Sequence, residues 1–180
     1  MPSEINQLLR QASQARREHR LNEAERDLIV AVAICRRTDV GNLARAVKAL
    51  GQIQRDLGRF DAALRNYQEA ADLYRARQDA VKLAHTVRHV GDILIEQGHP
   101  ELAEPHYEEA LTLYRAHAET PPLDLANAIR GVALLKSAAD QTDESKALWQ
   151  EARDLYSHLN VEAGVAECNE RLNLLASRTR

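Results

Sequence analysis

Lys48, Arg88 and Arg130 are three cations that recur at intervals of 40 and 42 residues in a chain of 180. Lys and Arg recognise carboxylates through charge-assisted hydrogen bonds, so fixed positive charges at regular intervals suit an acidic ligand. Cations about 10 Å apart in water repel by only about 0.4 kcal/mol before screening, so a folded chain also tolerates them as solvated surface. His85 and His89, four apart in "HTVRH", could place two imidazoles on one metal ion if the segment is helical. No Glu lies between them, and a hydrogen bond between helices is the reading favoured for this pair. Cys35 and Cys168 have no second thiol at CxxC spacing. Neither a disulfide framework nor a zinc site is therefore indicated, and buried reduced thiols are expected. His99 and His106 read as surface histidines. No nucleophile–base pair, glycine-rich phosphate loop or carboxylate pair stands at recognisable spacing. An enzyme is not expected, and no cofactor or metal is called for.

The elements that position these residues follow from composition and periodicity. Apolar residues make up 44% of the chain and aromatics 4%, with seven Gly and five Pro. Ala and Leu thus carry the core, which favours closely packed helices over sheets. The formal charge of −3 argues against a nucleic-acid partner or an acidic tail,. The opening "MPSEINQLLRQ" has no apolar stretch flanked by basic residues, and no run is long enough to span a bilayer. The expectation is a soluble cytoplasmic protein with no membrane partner.

Two segments, Leu43 to Ala76 and Leu83 to Ala116, align without a gap at an offset of 40,. They share Gly51/Gly91, Gly58/Gly98, Ala63/Ala103, Tyr67/Tyr107, Ala70/Ala110 and Tyr74/Tyr114. A further copy ends in "KALWQEARDLYSH", where Trp149, Ala152, Leu155 and Tyr156 match at an offset of 42. Gly131 follows Gly91 by 40 residues and tempts one to align the two. That choice would put Asn127 and Arg130 into apolar slots. Placing the two extra residues in the loop "HAETPP" instead sets Arg130 on Arg88 and Ala133 on Gly91, and loops absorb insertions more cheaply than packed helices,. The spacing of Gly131 is then a coincidence. A weaker first copy lies at an offset of 39, with Ala12 on Gly51 and Cys35 on Tyr74; "GVAECNERLNLLAS" matches only the first helix of a unit and reads as a cap. The helices expected are nine in number. In the second unit, helix A runs from about Asn42 to Leu57, closed by Gly58, and helix B begins after Arg59; Pro105 falls near the first turn of the next helix B.

The ordering of a small residue (Gly51), Gly58, Ala63, Tyr67 and Ala70 resembles the tetratricopeptide repeat. The 40-residue spacing is similar to the longer variant found in bacterial regulators and eukaryotic polarity adaptors. The resemblance covers Ile5 to Ser177 and implies an all-α fold, a right-handed α-solenoid of antiparallel helix pairs. It implies a single array with units at about 3–39, 40–79, 80–120 and 122–160, then a capping helix at about 162–177. This chain departs from the pattern in lacking a Trp before the helix A glycine and a Pro at the end of helix B.

In such arrays helix A lines the concave face. The family pattern exposes there Arg45, Lys48, Gln52, Arg55 and Asp56; then His85, Arg88, Asp92, Ile95 and Glu96; then Asn127, Arg130, Leu134, Ser137 and Ala138. The resemblance thus implies a ladder of cations up a peptide-binding groove and an adaptor that binds a protein or peptide, an acidic one on the strength of the ladder. The family's carboxylate clamp carries Asn where Gln52 and Asp92 stand, and Asp92 would repel a terminal carboxylate. Tyr67, Tyr74, Tyr107, Tyr114, Trp149 and Tyr156 read as a core stripe and not as a base-stacking surface. The competing expectations are a self-assembling module that forms homo-oligomers through its array ends, and a sensor of a small signalling peptide.

Overall fold

The computed structural model describes residues 2–178. Among these residues there are helices and no strands: α1 (Pro2–Arg17), α2 (Leu21–Thr38), α3 (Val40–Asp56), α4 (Phe60–Ala76), α5 (Ala80–Glu96), α6 (Pro100–Ala116), α7 (Pro122–Ala138), α8 (Thr142–His158) and α9 (Glu162–Arg178). Each packs on its sequence neighbours, and α1 also touches α3 as α5 touches α7. The result is an all-α solenoid.

Local chemistry sets the helix ends. Asp39 accepts from the Asn42 N–H at 3.2 Å and Asp79 from the Lys82 N–H at 3.3 Å, so α3 and α5 start at equivalent points under aspartate caps,. The first of these caps moves the start of α3 two residues ahead of the expected Asn42. Gly58 and Gly98 follow α3 and α5 at φ +71° and +81°, a region glycine enters without steric cost,. Pro105 is the sixth residue of α6 and not in its first turn, so it removes one backbone hydrogen bond from the helix,.

Helix bounds settle the repeat register. α5 and α7 begin at 80 and 122 and end at 96 and 138; α6 and α8 begin at 100 and 142. The offset of 42 therefore arises wholly in the connection 117–121, which replaces the shorter connection 77–79 between α4 and α5. Ala133 and not Gly131 faces the next helix at the equivalent close approach, where the Ser145 hydroxyl donates to its carbonyl at 3.1 Å.

The aromatic stripe is core. Tyr67, Tyr74, Tyr107, Tyr114, Trp149 and Tyr156 are each at most 3% exposed. Trp149 is fully buried, its indole N–H donating to Ser137 Oγ at 3.1 Å. The buried apolar residues form two clusters, one from Ile5 to Ile53 and one from Ala44 to Leu175, with Leu73 packed against both. Cys35 and Cys168 are buried and free. On the second helices, Arg36, Arg75 and Arg115 donate to Glu69, Glu109 and Glu151 of the following unit at 2.7, 2.9 and 2.6 Å. Each such surface pair contributes about 0 to 1 kcal/mol, and its regular recurrence ties one unit to the next.

Candidate peptide-binding groove

Because α1, α3, α5 and α7 are stacked first helices, residues at matching slots on them share one face. Lys48 and Gln52 of α3, His85 of α5, and Leu9, Ser13 and Arg16 of α1 come together around a cleft of about 220 Å³. Leu28, Ala49 and Ile53 supply its apolar side. A second cleft of about 270 Å³ lies farther along, between Leu134, Ser137 and Ala138 of α7 and Arg171, Leu174 and Leu175 of α9.

The three rungs of the basic ladder differ. Arg88 is 8% exposed and donates to Asp92 Oδ2 at 2.8 Å within its own helix. Arg130 forms a two-pronged pair with Glu167 of α9, at 2.7 and 2.8 Å. Lys48 is half-buried and, among the described residues, its ammonium has no hydrogen-bond or ion-pair partner. Burial and the neighbouring cations Lys82, Arg45 and Arg88 pull it below its ordinary pKa, with Asp124 opposing,.

The next helix explains the difference. The slot facing each rung is His85 for Lys48, Asn127 for Arg88 and Glu167 for Arg130, and only the last supplies a carboxylate. Asn127 is engaged elsewhere, accepting from Tyr156 Oη at 2.8 Å.

Asp92 organises the centre of the face. It accepts from Tyr107 Oη at 2.7 Å, lies 3.4 Å from Arg55 Nη1, and sits 3.1 Å from His89 Nδ1. These partners hold its carboxyl well below the usual range despite burial. The Nδ1–H tautomer of His89 donates to Asp92 and leaves Nε2 to accept from Arg88 Nη2 at 3.1 Å,. Burial lowers His89 to about 4. Burial, with Lys48 close by, lowers His85 to about 3, and His85 Nδ1 is buried with no hydrogen-bond partner among the described residues. The two rings stand edge to face, 4.6 Å apart. Among the described residues, no three His, Cys, Asp or Glu side chains gather as a metal site would require.

The remaining candidates divide between edge and interior. Arg45 is exposed and donates to Asn6 Oδ1 at 3.2 Å. Gln52 accepts from Tyr67 Oη at 3.1 Å and donates to Asp56 at 2.9 Å. Arg16 pairs with Asp56 at 2.5 Å and Arg55 pairs with Glu96, a stitch between successive first helices. At the third step the same slots hold Ile95 and Ala138, which carry no charge.

Sequence reasoning set Gly131 aside, and the structure returns it in another role. A Cβ there would fall 2.5 Å from Tyr107 Cδ1, and one at Gly91 would fall 3.0 Å from Cε2 of the same ring. Tyr107 is therefore wedged between glycines of two units. Gly131 occupies the slot of His89, whose ring stacks on Tyr67 at 5.5 Å. The signal was present in the alignment: a glycine opposite a histidine, with a tyrosine shared by both units.

Stacked helix pairs that repeat one packing scheme define a scaffold of the α-solenoid class. The tetratricopeptide repeat family matches at residues 4–76 and again at 89–117, and the chain belongs to that family. It is accordingly a protein-interaction repeat module, of a family that is generally a non-catalytic scaffold. Among solved structures it is similar to BtubC (BKLC) from P. vanneervenii, with a TM-score of 0.79 and 18% identity over 87% of this chain and 64% of that one. It is also similar to aspartyl phosphate phosphatase F from Bacillus subtilis, with a TM-score of 0.83 and 13% identity over 93% of this chain and 44% of that one. The chain thus spans less than two thirds of the length of either structure, and at these identities the likeness concerns the fold. No curated protein matches. No described helix is long and apolar enough to cross a membrane.

Proposed function

We propose that the chain is an adaptor whose groove, along α1, α3 and α5, binds an extended acidic segment of a client protein. The observation that carries this reading is Lys48, the rung of the ladder that has no partner among the described residues. A carboxylate arriving there would meet a half-buried ammonium beside an apolar cleft, where an ion pair is screened less than at the open surface,. Leu9, Leu28 and Ile53 would receive an aliphatic side chain of the same segment. Gln52, Arg45 and His85 border this position. Arg55, Arg88, Asp92, Asn127 and Arg130 support it as structural members of the face, held by the partners described above.

The test is selection of peptides from a random display library, followed by affinity measurement on wild type, Lys48→Glu and Arg130→Glu proteins. Acidic peptides should be enriched, and Lys48→Glu should weaken them by at least about tenfold, the equivalent of about 1.4 kcal/mol. Arg130→Glu should change affinity much less. Enrichment of neutral peptides, or equal affinity for the Lys48→Glu protein, would sink the proposal.

A further inference from the structure

A further cavity, of about 300 Å³, lies where α3 begins and α4 hands over to α5. Its walls carry Arg45, Lys48, Arg77 and Lys82 against the single carboxylate of Asp79, with the ring of Tyr74 alongside. Asp79 is already engaged: it caps α5 and pairs with Lys82 Nζ at 2.5 Å. Arg77 donates to the Gly41 carbonyl at 2.7 Å, which fixes its guanidinium at the rim. The formal charge of these five groups is therefore strongly positive in a concave space.

The equivalent junctions farther along show that this charge is not a by-product of the repeat. At the second junction, Asp124 replaces Lys82 and His117 replaces Arg77. At the third, the same slots hold Gly164 and Leu159, and Tyr156 is closed off by its bond to Asn127. The α4–α5 and α8–α9 connections share one backbone scheme, with Gln78 and Asn160 both at positive φ, and the α6–α7 connection is two residues longer; of these three junctions, α4–α5 is where cations accumulate.

Asp79 is taken up by Lys82, so it does not offset the charges of Arg45 and Lys48 on the same walls. A phosphate monoester carries about −1.5 to −2 charges and three acceptor oxygens, which suits several converging donors. Lys48 lines both this cavity and the apolar cleft beside Leu9 and Ile53, so one bound segment can reach both. We propose that the cavity holds the phosphoryl group of a phosphorylated residue on the segment that occupies the groove, an inference that rests on the groove-binding reading above. Arg77 and Lys82 grip the phosphoryl oxygens, Arg45 screens them from the solvent side, and Lys48 joins the two clefts.

The test has two arms on the full chain at constant ionic strength. In the first, backbone amide shifts are followed while inorganic phosphate, N-acetyl-phosphoserine amide or acetate is added. Both phosphates should shift the Gly41, Asn42 and Lys82 amides saturably, acetate should not, and an Arg77→Gln/Lys82→Gln protein should lose the response. Arg45→Gln, on an exposed side chain, should weaken it as well and serves if the double variant does not fold. In the second arm, matched peptide libraries with a fixed central serine or phosphoserine are compared, and the phosphorylated set should bind about tenfold tighter. No saturable shift, an equal response to acetate, or an unchanged response in both variants overturns the pocket. Phosphate binding without a preference for phosphopeptides overturns the client-borne form and leaves a site for free phosphate. Continued selection of unphosphorylated acidic peptides through Lys48, with no phosphate response, overturns the pocket while sparing the groove.

Discussion

Lys48 and Arg130 occupy the same slot in two different units of the array, yet one end of the face uses it as glue and the other, among the described residues, leaves it without a partner. Arg130 is gripped by Glu167 from α9, whereas the matching residue facing Lys48 is His85, held neutral by burial. A basic ladder read along a repeat therefore says nothing by itself about ligands. The slot on the following helix decides whether each rung is clasped within the array or left without a carboxylate partner. The same contrast runs through the tyrosines: Tyr67 stacks on His89, while the equivalent Tyr107 meets the bare backbone of Gly131.

The most damaging way to disturb this contrast is Gly131→Ala. The added methyl would strike a ring already pinned from the other side by Gly91, so the overpacking should cost about 3 kcal/mol, measured by urea denaturation,. Gly91→Ala, with its looser 3.0 Å approach, should cost distinctly less. A Gly131→Ala protein of wild-type stability would mean that the α6–α7 junction is not set by this ring.

Acidification should sharpen the contrast next. His85 and His89 have folded values of about 3 and about 4, below the ordinary 6.5. The unfolded chain therefore binds more protons between those limits, and stability must fall as pH drops from about 6.5 towards 4. The slope is at most about 1.4 kcal/mol per pH unit for each histidine. Asp92, lowered in the folded chain, adds its own loss only below the ordinary carboxylate range. Amide exchange should show the α3–α5 region opening first, and His89→Gln should flatten the profile; a pH-independent melt would contradict both.

The smallest effect is expected from Glu167→Gln. It removes a partly exposed clasp, at a cost of about 1 kcal/mol or less, and frees Arg130 to act as Lys48 does,. Acidic peptides should then bind more tightly to the variant than to wild type. Unchanged or weaker binding would show that the two ends differ in more than one neighbouring carboxylate.

Much of this was legible in the sequence. The offset of 42 and the double proline at 121–122 located the insertion, and the helix bounds place it in that loop. The aromatic stripe announced itself by spacing, because a period of seven on a helix returns to one face. What stayed hidden was contact between units. Reading Arg130 as a free rung ignored Glu167, although laying "GVAECNERLNLLAS" on the first helix of a unit, at an offset of 82 from α5, already sets Glu167 on His85. Asp92 looked like a repellent surface charge, yet its partners come from α3, α5 and α6, and no single-helix pattern lists them. The pinning of Tyr107 likewise needs two glycines 40 residues apart to meet one ring, which only the packed array reveals.

Trp149 is the one indole in the chain, and it sits dry in the last full helix pair. The protein therefore carries an optical reporter at one end only: tryptophan emission follows the α7–α8 pair, while circular dichroism sums over every helix. If the two apolar clusters come apart at different denaturant concentrations, the two signals will trace different curves from a single unlabelled sample.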